Sequence, residues 1–402
     1  MFKGALPGFR DFYPTELSER AFVMATWRDV ARRYAFQEYD GPPLEPLDLY
    51  TRKSGDEIVG QLYNFVDKGG RDVALRPEMT PTVARMVGAR ANALRKPVRW
   101  FSMPQLFRYE RQQKGRLREH YQLNVDIFGS SDVAADAELV ACAVDMMRAF
   151  GLTSSDVVVR ISDRRILQGY LESLGVPADS ITGVYGVIDK LERTPANVSA
   201  EKLAALNVPS ASIERLVNVA SVTFEEVHAA LIDGAAAVHV AELERFFSYV
   251  PSLLGGDASW LKLDLSIVRG LAYYTGIVFE LFDRSGEFRA ICGGGRYDTL
   301  LQSLGGADMP ALGFGMGDVV LGELLRAKGL MTPASSAADY WVAADEQAPL
   351  EQVMREAARL RAAGHSVEYA LRPQSLSKQR KAAQASGARD FVTLSNDDGT
   401  NG

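Results

Sequence analysis

The sequence predicts an α+β fold. Three observations carry this: strand-like alternation over roughly residues 60–130 and again over 261–292, a stretch at 163–255 with short helical segments and turn signals but no strand pattern, and a tail at 339–402 in βαβαβ order. A βαβαβ order implies a parallel sheet in the tail. Gly329 and Pro333 bracket a linker, so the predicted division is a core of 1–162 with 256–330, a helical insertion at 163–255, and an α/β domain at 339–402.

Residues 16–35 read as an amphipathic helix, because Val23, Trp27, Val30 and Tyr34 recur at helical spacing while Arg28, Asp29, Arg32 and Arg33 lie mostly elsewhere. Pro42, Pro43 and Pro46 then favour an extended segment. "LYNFVDKGGRDVALRPE" reads as two strands around the Lys68-Gly69-Gly70 turn. Thr80-Pro81 reads as an N-cap followed by Pro at the first helical position, opening a helix to about residue 90. "VRWFSMPQLFRYER" and "EHYQLNVDIFG" are predicted strands flanking the loop "QQKGRLR". A helix over 133–150 (Leu139, Ala143, Met146, Met147, Phe150) and a strand, "DVVVRIS", follow. After the helical stretch come strands, "GGGRYD", a helix start, "ALGFGMG" and a helix at 318–329. The tail reads "DYWVAA" strand, 349–363 helix, "HSVEYAL" strand, 375–386 helix, "DFVTL" strand, and then the turn pairs Asp398-Gly399 and Asn401-Gly402 without a partner strand, as in a domain cut short.

The chain has 402 residues, 47% of them hydrophobic and 24% charged, which is the composition of a soluble globular protein. No apolar run approaches the roughly 18 residues of a membrane span. The N-terminus lacks a signal-peptide pattern. Two cysteines, Cys142 and Cys292, cannot build a disulfide framework or a thiolate metal site alone, so a reducing cytoplasmic home is expected. The four histidines show no HExxH spacing, and no protein metal site is predicted. The net charge of −6 by itself speaks against nucleic-acid binding.

The most informative segment is 107–128. Strand alternation puts His120, Gln122, Asn124 and Asp126 on one face and Tyr121, Leu123, Val125 and Ile127 on the other. Arg108 and Glu110 share a face on the neighbouring strand. Polar rows on adjacent strands suit the floor of a polar pocket, and the loop Arg111–Arg118, with Lys114, Arg116 and Arg118 around Gly115, suits a polyanion such as a nucleotide. The same pattern equally describes a solvated sheet face with a basic hairpin. "LRPEMTP" places Glu78 and Thr80 at a helix mouth, where a carboxylate can meet an ammonium or simply form a capping turn. "IVRGLAYYTG" puts Arg269 beside Gly270 in a predicted strand with Tyr273 and Tyr274; such an arginine can grip a phosphate bidentately or pair with a surface carboxylate. "CGGGRYD" and "GFGMGD" match neither a P-loop nor a dinucleotide fingerprint; glycines in strands mark bulges or close approach.

In combination these segments resemble the histidyl-tRNA synthetases, class II aminoacyl-tRNA synthetases. The early helix and "YDGPPLEP", with Pro42, resemble motif 1, the dimerisation segment. "FRYERQQKGRLREHYQLNVDIFG" resembles motif 2, "VRGLAYYTG" and "GGGRYD" the two histidine signatures, and "LGFGMG" the start of motif 3. The resemblance runs over most of 5–330 and weakly through the tail, which is similar to the first three strands of the family's anticodon-binding domain.

The resemblance implies a class II antiparallel sheet core flanked by helices, a homodimer, and a two-step reaction: histidine and ATP give histidyl-adenylate and pyrophosphate, then histidine passes to tRNA(His). It assigns Arg108 and Arg269 to the α-phosphate, Glu110, Arg111 and Arg116 to ATP, Glu78, Thr80 and Gln122 to the substrate ammonium, Asp126 and Tyr274 to the imidazole, and Tyr273 to the histidine-binding residues. ATP is expected with Mg2+, and no prosthetic group is. Two departures mark an organellar or plant-like branch: Ala272 replaces the acid of RGLDYY, and Val319 and Val320 stand where motif 3 has an acid and an arginine over adenine. The rival is a synthetase-like regulatory subunit of ATP phosphoribosyltransferase. Retention of Glu78, Arg108, Gln122, Asp126 and Arg269 with the basic loop favours the synthetase.

Overall fold

The computed structural model describes residues 4–51, 59–110, 117–269, 274–333 and 337–394. Two compact units emerge, one of residues 1–11 and 19–332 and one of 12–18 and 333–402. No helix among the described residues is long and apolar enough to cross a membrane.

The first unit is built on a nine-stranded sheet. Its strands are β1 (Gln37–Glu38), β5 (Val98–Ser102), β6 (Gln105–Phe107), β7 (Glu119–Phe128), β8 (Val157–Asp163), β9 (Leu261–Leu263), β10 (Ile277–Asp283), β11 (Cys292–Arg296) and β12 (Ala311–Gly317). The order is β1-β5-β7-β12-β11-β10-β8-β9, with β6 on β7, antiparallel except for the outer pairs β1–β5 and β8–β9. A smaller antiparallel sheet contains β2 (Leu44–Pro46), β3 (Tyr63–Val66) and β4 (Asp72–Leu75), with β3 and β4 joined through the Lys68-Gly69-Gly70 turn as expected. This is the mixed α/β architecture, with a large central sheet flanked by helices, that the sequence predicts.

The first helix, Pro14–Arg33, buries Val23, Trp27 and Val30, three of the four residues of the predicted face. The helix Ala134–Ala149 buries Leu139, Ala143, Met146 and Met147 against the apolar side of β7, where Leu123, Val125 and Ile127 point. Between β8 and β9 every element is helical, from Arg164–Ser173 through Ala237–Leu253. Leu171, Leu203, Leu216 and Phe246 of this stretch join the same apolar cluster as the sheet residues.

Three local expectations are corrected. The strand expected over "VRWFSMPQLFRYER" is broken at Met103-Pro104 and ends at Phe107, because Pro104 has no N–H for a ladder; Arg108 and Glu110 sit beyond it. Thr80 is not the N-cap: Met79 is, without a side-chain cap, and Thr80 opens the helix Thr80–Ala89 with Pro81 tolerated in the first turn. Arg269 does not lie in a strand. Its φ of 62° is a left-handed conformation incompatible with a ladder, and β10 starts only at Ile277.

Long-range polar ties lock the elements together. Arg10 donates from Nε to Glu119 on β7 at 2.6 Å and from Nη1 to Asp318, at the start of the helix Asp318–Ala327, at 2.9 Å. The other oxygen of Asp318 accepts from the Tyr121 amide. Arg296, at the end of β11, makes a two-point pair with Asp136 in the first turn of the helix Ala134–Ala149, at 2.5 and 3.2 Å, and also reaches Asp298 and the Ser130 carbonyl. Both partners are almost fully buried.

The second unit holds β13 (Tyr340–Ala344) between β14 (Val367–Tyr369) and β15 (Asp390–Leu394), all parallel, with the helices Leu350–Ala362 and Leu376–Ser386 as crossovers. Along β13, Val342 and Ala344 pack with Val353, Ala357 and Leu360, while Trp341 and Ala343 pack with Ala383 on the other face. The turn pairs Asp398-Gly399 and Asn401-Gly402 lie outside the described residues.

Breaking a buried ion pair from one side leaves a charge uncompensated. Arg296→Met is expected to lower the unfolding free energy by roughly 3–5 kcal/mol in urea titrations. Adding Asp136→Leu should recover much of the loss; an unrecovered double variant would show that the charges themselves are needed.

Candidate active site

One face of the central sheet floors a cleft of about 530 Å³. Its polarity follows from the period of a strand: His120, Gln122 and Asn124 of β7 face the cleft, and the intervening apolar residues face the core. Glu78 and Thr80 enter from the mouth of the helix Thr80–Ala89, Arg108 and Glu110 from the segment after β6, and Arg269 and Tyr274 from the connection before β10. The cleft thus brings together seven residues expected from sequence: Glu78, Thr80, Arg108, Glu110, Gln122, Arg269 and Tyr274. Asp126 lies further along β7, buried, where Tyr297 donates its hydroxyl proton to Oδ1. Arg111, Arg116 and Tyr273, also expected here, lie outside the described residues.

The side chains can lie flat on the sheet because the neighbouring strands lack side chains beneath them. Gly313 on β12 is the direct partner of Asp126, and a methyl at Gly313 would collide with the Asp126 carboxyl and stand 2.7 Å from the Tyr297 hydroxyl. A methyl at Gly315 would sit 2.8 Å from the carboxamide carbon of Gln122. One at Gly293 on β11 would collide with the Arg269 guanidinium. Gly293 and Gly295 pair with Gly315 and Gly313, so the four form one bare patch across two strands.

Arg108 is aimed by a 2.9 Å bond from Nε to the Pro77 carbonyl and by its amide on Arg118 O. Arg269 forms an ion pair with Glu280 of β10, and its guanidinium carbon lies 5.8 Å from the Tyr274 ring centroid. The carboxylate alternative for this arginine is therefore realised, but inside the cleft. Burial pushes the Asp126 carboxyl up to about 7, offset in part by the Tyr297 hydroxyl. Burial, with Arg108 and Arg10 nearby, pushes the His120 imidazole down to about 3, so it stays neutral at physiological pH. Among the described residues, Oδ2 of Asp126 is buried without a hydrogen-bond partner. As a carboxylate oxygen it is suited to accept from a ligand N–H.

Sequence reasoning missed Tyr297 and Glu280. Tyr297 had a signal: in "GGGRYD" it alternates with Arg296 and Asp298, so it faces opposite to those two, which serve the Asp136 tie. The paired glycines at 293/295 and 313/315 were the other signal, legible once β11 and β12 are known to be neighbours. Among the described residues no group of three or more His, Cys, Asp or Glu side chains is placed to hold a metal ion.

The family model described as Histidyl-tRNA synthetase matches residues 8–317. A histidine–tRNA ligase of Opitutus terrae is 45% identical over 390 residues, covering 96% of this chain and 89% of its own. A chloroplastic/mitochondrial histidine–tRNA ligase of Arabidopsis thaliana is 41% identical, covering 96% and 79%. The crystal structure of a histidyl-tRNA synthetase from Nostoc superposes with a TM-score of 0.82 over 97% of this chain and 91% of that one, at 24% identity.

A carboxyl with a folded pKa above its unfolded one contributes stability that is full below its ordinary value of 3.8 and lost as pH rises through about 7. Asp126→Asn should therefore gain stability relative to the wild type from about pH 4 to about pH 7, followed by urea unfolding. Parallel pH profiles of the two proteins would rule out the buried proton.

Proposed function

We infer that the chain, which belongs to the histidyl-tRNA synthetase family, is a ligase that joins histidine to tRNA(His) at the expense of ATP. The observation that carries the reading is the convergence in one cleft of two arginines for a phosphate with a polar, partly acidic lining that includes Tyr297, whose hydroxyl meets the buried Asp126.

In the first step an oxygen of the histidine carboxylate forms a bond to the α-phosphorus as the bond to the bridging oxygen of pyrophosphate breaks. Arg108 and Arg269 hold the α-phosphate from two sides, where negative charge develops on the oxygens. Glu110, with Arg111 and Arg116, orients ATP, which enters as its magnesium complex. Glu78, Thr80 and Gln122 receive the substrate ammonium. Asp126, Tyr273 and Tyr274, joined by Tyr297, recognise the imidazole edge. A pocket that must satisfy the buried Oδ2 of Asp126 rejects apolar side chains, because its own polar groups would be left unpaired. In the second step the terminal ribose hydroxyl of tRNA attacks the adenylate carbonyl and AMP leaves. No protein nucleophile enters either step; positioning and electrostatics supply the rate.

The same reading includes a homodimer in the cytoplasm, the three-part division into a catalytic core, an insertion at 163–255 and an anticodon-binding domain at 339–402, and the organellar or plant-like branch. The Arabidopsis relative supports that branch, although the Opitutus relative has the higher identity. The regulatory-subunit reading is less favoured: it gives no reason for the full adenylation set.

Histidine-dependent exchange of labelled pyrophosphate into ATP should be present in the wild type, and its absence from folded protein would overturn the ligase reading. Arg269→Ala should slow exchange by roughly 10²–10³-fold. Gly313→Ala, which pushes a methyl into Asp126, should raise KM for histidine about tenfold or more, the kinetic equivalent of the roughly 1–3 kcal/mol that overpacking costs, while KM for ATP changes little. Equal rises in both KM values would show that Gly313 serves the sheet rather than the histidine pocket.

A further inference from the structure

Arg269 is held in an unusual backbone conformation. A non-glycine residue with a φ of 62° sits in a sparsely populated conformation, which persists only where the surroundings over-determine it. The segment that delivers it begins at Asp264, whose side chain is fully buried. Oδ1 of Asp264 accepts from the Ser266 amide at 3.1 Å and the Ser266 hydroxyl at 2.5 Å, and the Ile267 amide donates back to the Asp264 carbonyl at 3.1 Å. These bonds make a closed turn, and the residues after it, Ser266 to Arg269, line the cleft.

The other oxygen of Asp264 accepts from Nε of Arg160 at 2.7 Å. Arg160 belongs to β8, and its direct cross-strand partner on β10 is Glu280, the carboxylate that pairs with Arg269. Its guanidinium carbon lies 4.8 Å from the centroid of Phe282, a diagonal neighbour that also lines the cleft. From the same fork Nη2 donates to Glu192, in the short helical turn Leu191–Arg193 of the 163–255 stretch. Asp189, Glu192 and Arg193 form part of the cleft rim.

We propose that Arg160 is a positioning residue for the adenylation step: it ties the rim at 189–193, through Glu192, to the Asp264 turn that presents Arg269. The inference rests on the ligase reading. One planar fork serves both carboxylates, Nε toward the sheet and Nη2 toward the rim. A lysine, with a single nitrogen, cannot reproduce both bonds. Displacement of the rim is thereby felt at the guanidinium that meets the α-phosphate, without Arg160 touching substrate.

The test is pyrophosphate exchange by the full chain carrying Arg160→Lys, Glu192→Gln, or both. Small misplacements of reacting groups are costly, up to about 10²-fold per ångström. Arg160→Lys should lower kcat about 10- to 100-fold, with KM for histidine and ATP within about twofold. Glu192 is 60% exposed, so Glu192→Gln should leave the thermal midpoint nearly unchanged while lowering kcat about fivefold or more. The double variant should be no slower than Arg160→Lys alone, since both changes cut one connection. A Glu192→Gln variant with wild-type kcat, or losses that multiply in the double variant, would overturn the proposal. If Arg160→Lys does not fold, Glu192→Gln alone decides. Absence of exchange in the wild type would instead remove the ligase reading on which the proposal stands.

Discussion

The site depends on a patch of sheet that has no side chains. Gly293 and Gly295 on β11 and Gly313 and Gly315 on β12 are cross-strand partners, and together they leave bare backbone at the centre of the sheet. Over this patch lie the Arg269 guanidinium, the Gln122 carboxamide and the Asp126–Tyr297 pair. A Cβ at Gly293, Gly313 or Gly315 would collide with one of these groups, and one at Gly295 with the Ile277 carbonyl, Val278 and the Tyr274 ring. The flexibility that glycine normally brings to a strand is suppressed here by the ladders on both sides. What remains is the absence of bulk, and it sets how deeply a ligand can be seated.

Burial makes opposite demands on the polar groups around that floor, and the fold answers them differently. Arg296 and Asp136, remote from the cleft, satisfy each other at two points. Asp126 is kept protonatable near neutral pH because the Tyr297 hydroxyl does not offset the loss of water. His120 is held neutral by the same loss of water together with two nearby arginines. A proton-sharing acid and a neutral base thus lie on one strand, six residues apart.

Much of this was legible in the sequence, for reasons that can be named. The period-two pattern of 119–128 is strong because a strand buried on one face and polar on the other has few alternatives, and both faces came out as expected. Glu78, Arg108, Glu110 and Tyr274 were found by their motifs, and they meet in the cleft. What escaped was tertiary. Glu280 looks like any acidic residue in a strand until β10 is placed between β8 and β11. Arg269 was expected in a strand because its neighbours are apolar and aromatic; the turn closed by Asp264 overrides that local preference. Thr80 followed by Pro81 carries a good capping signal, yet the helix begins one residue earlier, a shift that a side chain turned toward the cleft readily imposes.

The tie made by Arg10 has a meaning in time as well as in space. Its two carboxylate partners lie 109 and 308 residues further along the chain. At the roughly 5–20 residues per second of protein synthesis, Glu119 follows Arg10 from the ribosome after about 5–20 s and Asp318 after about 15–60 s. The strand that floors the cleft can therefore acquire its first anchor early. The helix that follows β12 completes the pair only when most of the chain has been made. A nascent chain halted between those two moments would carry a half-tied arginine, with Glu119 in reach and Asp318 still to come.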